Sequence, residues 1–357
     1  MSAEIDMSND RINFAKREDV SVWWERPDTK MNIIEPGDSI GIIAAKAGID
    51  FPITTTQTFY STDNGEGMVA KPSKAFSIIR QDTGAELGYG VTKGYKPHQP
   101  LEIANTMDRI CKLAGMEIIT AGSLRGGGTI WIQATRGDME YRVGTDLVKR
   151  HLVLSGDNTG KVATRGHNTQ VVVVCANTFR CMESDSRSDT VTLSHRGEYD
   201  EEILLEKLGY LDSLSQSTEE VVQTMREREM TGNELVEFIM KASFMDRNVS
   251  RPKASTISHA ENVIFGGDFK KVDHIPDEDE AKEAKSVGKV AHQLWDAYQN
   301  SPGQRERGRN RWAAFNAVTF YADHVKTAKG GAEGRLIAGQ EGSAAKLKRS
   351  VMELLAA

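Results

Sequence analysis

Cysteine is scarce in this chain, with three residues in 357: Cys111, Cys175 and Cys181. An odd number, at spacings that fit no zinc pattern, argues against a disulfide framework and leaves buried, reduced thiols as the expectation. Long apolar runs are missing too, and nothing approaches the roughly 20 residues a membrane span needs. The opening MSAEIDMSNDRINFAKRED is polar and mixed in charge and lacks the apolar stretch of a secretory signal, so the expected location is a cytoplasm, away from any membrane.

Catalytic patterns are just as sparse. The eight histidines form no HExxH and no His-x-x-x-His pair. There is no G-x-S-x-G elbow and no G-x-G-x-x-G, and Cys175 in VVVVCAN reads as a small buried hydrophobe. His195, in SHRGEYDEE beside Glu198, Asp200 and Glu201, is the one place where an acid/base or metal role would fit. Acids at a helix start are equally explained by the macrodipole. The expectation is a protein that is not an enzyme and uses no cofactor.

Positive charge is short overall, at a net −6, but it is unevenly placed. Residues 71 to 180 hold 15 Lys and Arg against 9 Asp and Glu, a net +6, while the segments before and after are each −6. A basic middle between acidic flanks is what a polyanion partner would require.

The hydrophobic pattern divides the chain into three. Residues 1–70 read as a loosely structured arm anchored by Trp23 and Trp24. Residues 71–200 read as an α+β core: a hairpin from AFSIIRQDTGAELGYGVTKGYKP onward, an amphipathic helix over QPLEIANTMDRICKLAG with Gly115 as its stop, then MEIITAGSL and TIWIQATR as strands joined by RGGG. DLVKRHLVLSG and NTQVVVVCAN read as two further strands, the second a buried central one. Residues 201–357 read as helical, with a capping box at Thr231 and Glu234 and a loop at about 247–277. The fold class expected is α+β: an antiparallel or mixed sheet with a crossing helix, then a helical C-terminal half.

Five basic stretches carry candidate chemistry. In RGGG the glycines run into a β-branched strand and not into a Lys-Ser/Thr helix start, so a nucleotide cradle of the Walker kind is excluded. What remains is a hairpin tip, either plain or placing Arg125 against a phosphate with Trp131 stacked on a base; Trp131 equally suits the core. VTKGYKPHQ interleaves Lys93, Tyr95, Lys96 and His98, the mix that single-stranded nucleic-acid binders use, and also a suitable solvated turn into a helix. Lys149 and Arg150, then Lys161 and Arg165, extend the charge along the next strands, where charged edges also guard against aggregation. In the C-terminal half, Arg305, Arg307, Arg309 and Arg311 suit either a phosphate backbone or the acidic helices beside them, and Trp312 and Phe315 begin a stripe of core or interface type.

Several of these stretches, LGYGVTKGYKPHQP, TAGSLRGGGTIWIQA, HLVLSGDNTGKVATRGHNTQVVVVCANTFRCM, SHRGEYDEEI and WAAFNAVTFYADHV, together resemble a protein family of unknown function encoded by phages and plasmids. The resemblance spans most of residues 86 to 325. The chain departs from the family pattern within YGVTKG, where a valine-glycine pair is expected, and at Pro100, where the pattern has Asn. The order of elements is more remotely similar to single-strand annealing proteins of the Rad-fifty-two type. That resemblance implies rings or filaments holding single-stranded DNA by its backbone, with no nucleotide consumed. The expected function is therefore single-stranded DNA binding and annealing by a homo-oligomer in phage or plasmid recombination or replication. The nucleic-acid-binding residues would be Lys93, Tyr95, Lys96, Arg125, Lys149, Arg150, Lys161 and Arg165, in contact with the backbone, together with Trp131. A structural or host-interaction protein that assembles without nucleic acid is the alternative.

Overall fold

A computed structural model describes residues 14–20, 32–65, 67–172, 177–180, 190–197, 199–202, 206, 218–272, 277–327 and 342–356. Among these, nine strands form a mixed sheet. Its main order is β11 (Asn177–Arg180), β10 (Thr164–Val172), β9 (Asp146–Asp157), β7 (Thr129–Thr135), β6 (Glu117–Leu124), β1 (Phe14–Lys16) and β2 (Asn32–Ile33). β12 (Thr190–Leu193) also pairs with β10, and β8 (Glu140–Val143) with β9. All pairings are antiparallel except β1 with β2. A second sheet has the order β3 (Ile53–Asp63), β4 (Met68–Arg80), β5 (Glu86–Val91). The α+β expectation and the helical C-terminal half both stand.

The crossing helix is α2, Pro100–Ala114, preceded by the short α1, Ile40–Lys46. Its N-terminus is set by Pro100 in the first turn and by Glu102, whose carboxylate accepts from the Gln99 backbone N–H at 2.8 Å; Gly115 ends it in the left-handed region. Ile103, Met107 and Ile110 are buried on the sheet against Ile130, Ile132, Leu152 and Leu154, each worth about 1.5–3 kcal/mol of transfer free energy. The small sheet joins this core through Ile53, Ile78 and Val91.

The helical half contains α3 (Gly232–Arg247), α4 (Ala254–Ile264), α5 (Glu278–Asn300), α6 (Gln304–Arg307), α7 (Arg311–Phe320, continued by a π turn to Val325) and α8 (Ser343–Ala356). The capping box at Thr231 and Glu234 is present at the start of α3. Phe238, Leu294, Trp312, Phe315 and Val351 form its core, and Tyr141, Val143 and Val148 of the β8–β9 hairpin enter the same cluster. Where sheet meets helices, Asp146 accepts from Arg307 Nε at 2.6 Å and Nη2 at 2.9 Å, and from Trp312 Nε1 at 2.7 Å, with all three side chains buried. Arg307 Nη1 donates further to the Pro302 carbonyl and to Gln304 Oε1, so four of the five guanidinium N–H groups meet these acceptors. Arg307 is thus a structural cation, paired with an acid of the sheet and not with the acidic helices considered from sequence.

Two boundaries need correction. The arm of residues 1–70 holds β2, α1 and β3, and the cut at 70 runs through the β3–β4 hairpin. Its strand, ITTTQTFYSTD, is mostly Thr, Ser and Gln, so no apolar alternation marked it. The loop at 247–277 contains α4, whose buried face includes the polar Thr256 and His259 and therefore hid its period. Trp23, Trp24, Cys175, Cys181 and part of the long helix read after residue 200 (203–205 and 207–217) lie outside the described residues; 218–227 is helical and Cys111 is buried.

The RGGG turn is held from several sides. It forms a 3-10 turn over Arg125–Gly127. Arg80, stacked 3.9 Å over the Phe51 ring and forked onto Asp82, donates to the Gly126 carbonyl at 2.9 Å. Asn158 Nδ2 donates to the Gly127 carbonyl and the Asn158 N–H to the Gly128 carbonyl, both at 2.8 Å. Gly127 has φ +100°, and a Cβ there would lie 2.6 Å from Phe51 Cζ, so position and conformation both require glycine.

Two predictions follow from these contacts. Gly127→Ala lowers the melting temperature more than Gly126→Ala, because Gly126 (φ +67°) has open space within 4 Å and only the left-handed penalty of about 1–2 kcal/mol applies there. Equal shifts in thermal melts of the two variants would contradict the packed turn. Asp146→Ala strands a buried guanidinium and costs about 3–5 kcal/mol in denaturant unfolding, and Asp146→Ala/Arg307→Met recovers part of that loss.

Candidate functional site

Four segments that are remote in sequence meet at one end of the main sheet. The first is the RGGG turn between β6 and β7. The second is the β9–β10 turn, Asn158–Lys161, whose Asn158 is bonded to that glycine turn as described. The third is β5 with the loop that follows it: a Cβ on Gly88 would sit 2.2 Å from the Thr159 carbonyl oxygen, so the two backbones touch only because residue 88 has no side chain. The fourth is the loop after β12, where the Lys96 N–H donates to the His195 carbonyl at 2.8 Å and His195 Nδ1 lies 3.1 Å from the Lys96 carbonyl.

Between these segments lies a stack of rings. Tyr95 stacks on His195 at 4.8 Å between centroids, His98 lies 4.1 Å from His195, and Tyr199 meets His98 edge-on at 5.1 Å. His98 Nδ1 is 2.9 Å from Thr164 Oγ1, and the Tyr199 hydroxyl donates to Thr106 Oγ1 at 2.7 Å, which ties the stack to β10 and α2. Burial, and then the neighbouring His195, push the His98 pKa down to about 4; burial also lowers that of His195 and raises those of the Tyr95 and Tyr199 phenols. These rings are therefore neutral at pH 7 and serve as a floor.

The rim is cationic. Lys93, Lys96, Arg125, Lys161 and Arg196 are exposed around this end. Lys93, Tyr95, Lys96 and Tyr199 share a cleft of about 400 Å³ with Ile53 and Thr54 at the edge of β3. Gln99 fixes that edge: its side-chain amide donates to the Ile53 carbonyl and accepts from the Ile53 N–H, both at 3.0 Å. Arg125 has φ +56°, a conformation costly for a residue with a Cβ, and the held turn imposes it.

The nine residues expected to form one groove do not all gather. Lys93, Tyr95, Lys96, Arg125 and Lys161 do. Trp131 is fully buried, 4.9 Å from Phe14, and as placed it anchors the sheet and cannot stack on a base. Tyr95 is turned in against His195. Arg165 pairs with Ser155 next to Thr164, so by strand alternation it points to the face opposite His98 and α2. Lys149 and Arg150 sit at the other end of β9, roughly 20 Å away by strand rise, where Lys149 opposes Glu140 and Arg150 lies 5.8 Å over Tyr141. Around His195 the acids are otherwise engaged: Glu201 and Glu202 pair with Arg109 of α2, and Asp200 accepts from the Glu202 N–H at 3.1 Å. Glu198 lies outside the described residues. Among the described residues no three His, Cys, Asp or Glu side chains gather as metal ligands would. Arg196 and Tyr199 were within reach of a sequence reading, in the same SHRGEYDEE stretch as His195, but nothing in that stretch signals its pairing with GYKPH.

The neutral histidines make stability pH-dependent. Their folded pKa values lie below the ordinary value near 6.5, so the unfolded chain binds protons first. Stability is full above about pH 6.5 and falls as pH drops towards about 4, by roughly 1.4 kcal/mol per pH unit for His98. His151, pushed by burial down to about 3, adds to the slope. Unfolding midpoints measured at pH 7, 6 and 5, above the main carboxylate range, should fall; a flat series would mean that the folded rings take up protons as readily as the unfolded chain does.

Among the described residues no helix is long and apolar enough to cross a membrane. No curated protein and no solved structure matches the chain. A family model described as a domain of unknown function, DUF932, matches residues 89–350, more than half of the chain and a span that takes in both the ring stack and the cationic turns. On that match, this chain belongs to the DUF932 family.

Proposed function

We propose that the chain binds single-stranded DNA at the cationic end of its main sheet. It holds the strand by its phosphates and leaves bases free to pair, as an annealing factor in replication or recombination of a phage or plasmid, without consuming a nucleotide. The supporting observation is the convergence itself. Three loops bring Lys93, Lys96, Arg125 and Lys161 to one rim although the chain as a whole is acidic. Lys93 and Lys161 make no ion pair with any described residue, whereas nearby acids are engaged: Glu102 at the start of α2 and Asp157 on the Thr159 N–H at 2.6 Å. A rim of this kind attracts a flexible polyanion, and the neutral rings beneath it carry no opposing charge.

A second reading, a structural protein that assembles with itself, has one observation in its favour. The β3–β4 hairpin runs out beyond the small sheet, and its outer half exposes Phe59, Tyr60 and Met68. Two-stranded arms of this kind are marginal in water and suit a partner surface.

The test is fluorescence anisotropy with single-stranded and duplex oligonucleotides across a salt series. Four phosphate contacts on single strands give a slope of about −3 in log K against log salt, and Lys93→Ala/Lys96→Ala reduces its magnitude by about 1.4. Flat binding curves, together with a large assembly in light scattering without DNA, would instead select the structural reading.

A further inference from the structure

The two aromatic residues expected to stack on bases, Tyr95 and Trp131, are both turned inward. A third, Tyr89, is turned out, with 81% of its surface exposed. Its direction is set by the backbone. Tyr89 opposes Ser77 of β4, but Phe76 opposes Val91, so Gly90 is an extra residue in β5. Gly90 has φ +83°, the geometry of a glycine-led bulge. Without the bulge, residues 89 and 91 would share a face. With it, Val91 joins the core and Tyr89 stays outside. Gly88, the preceding residue, faces the Thr159 carbonyl on the inner side.

The outer face that carries Tyr89 runs back to the cationic cleft. Across the small sheet Tyr89, Ser77 and Thr56 form one row, and Ile79 with Thr54 forms the next. Thr54 lines the cleft with Lys93 and Lys96. Two inter-strand spacings, about 10 Å, therefore separate the β3 edge from Tyr89. The acid on this face, Glu86, accepts a hydrogen bond from the Ser77 hydroxyl. Tyr89 itself makes no hydrogen bond or ring contact with any described residue.

We infer that Tyr89 is a base-stacking residue, and that a single strand held by Lys93 and Lys96 runs across the outer face of β3–β4–β5 and lays a base on its ring. This rests on the single-stranded DNA reading above and names the residue that meets the bases. The occupant is argued from charge and chemistry together: cations at one side of the face for phosphates, and at the other a flat, open ring that any base can cover.

The full chain is titrated with a fluorescein-labelled oligothymidylate and with an abasic strand of equal length. Wild type prefers the base-bearing strand, and Tyr89→Ala loses about tenfold in affinity for it with an unchanged salt slope, because stacking moves no counterions. On the abasic strand Tyr89→Ala equals wild type. Tyr89→Phe keeps the preference, and Phe265→Ala, another ring 74% exposed but in the helical half, leaves both titrations alone. If wild type binds neither strand, the DNA reading fails and takes this inference with it. If wild type binds but Tyr89→Ala binds equally well, or loses the same factor on both strands, only the stacking role is overturned. Thermal melts of each variant separate loss of binding from loss of fold.

Discussion

The ion pair between Asp146 and Arg307 ties the first residue of β9 to the helical half. Taking both charges out of water costs several kcal/mol per ion before any attraction is counted. The cost is offset by a dense set of hydrogen bonds: the fork of Arg307 closes on the carboxylate, Trp312 donates to the same oxygen as Nε, and Pro302 and Gln304 accept from Nη1. Such a pair is a weak source of net stability but a strong source of geometry. It fixes where α7 begins relative to the β8–β9 hairpin, and Asn310 then caps α7 through the Ala313 N–H at 2.9 Å. Tyr141, Val143 and Val148 enter the helical core from a sheet position that this pair sets.

β9 runs from that junction to the cationic end, starting at Asp146 and finishing at Asp157. One strand is thus pinned to helices at its first residue and opens into the β9–β10 turn at its last. This separates two demands. The helical half makes one end rigid with large apolar side chains. The other end is packed by backbone, Gly88 on Thr159 and Gly127 under Phe51, so that long cationic side chains on the same turns remain outside. A turn filled by side-chain packing would have drawn its own residues inward. Glycine allows the turns to be held closely while their lysines remain exposed at the surface.

Element type was readable where one face of an element is apolar and the other polar. α2, with Ile103, Met107 and Ile110, is an example, and the Thr231 and Glu234 spacing marked the start of α3; the strands TIWIQAT and DLVKRHLVLSGD, buried on both faces over several consecutive residues, were readable instead from their apolar and β-branched content. Elements buried through polar atoms were not readable. α4 buries Thr256 and His259, and β3 pairs through a run of threonines, so neither shows the period on which such a reading relies. The basic stretches were visible as composition. What composition lacks is register: Arg165 and Thr164 are neighbours in sequence yet face opposite sides of β10, and Lys149 lies most of a strand away from Lys161.

Tyr95 and Tyr89 show the same limit at the level of a single motif. Both stand in LGYGVTKGYKPHQP, and interleaving with lysine points to Tyr95. Interleaving describes the chain as though each residue were equally presented, and a folded loop does not present residues equally. Tyr95 lies between two lysines that need water, so the loop satisfies them by turning its ring onto His195, which gives the apolar body of the tyrosine somewhere to go. Tyr89 has no such option: the face below it is occupied by Ile78 and by the Thr159 backbone against Gly88, and the bulge at Gly90 gives the inward direction to Val91. An aromatic among cations is thus drawn in by the surroundings that make it look functional. The ring left at the surface is the one that packing excluded, and its neighbours, two glycines, give its position away more than any charge does.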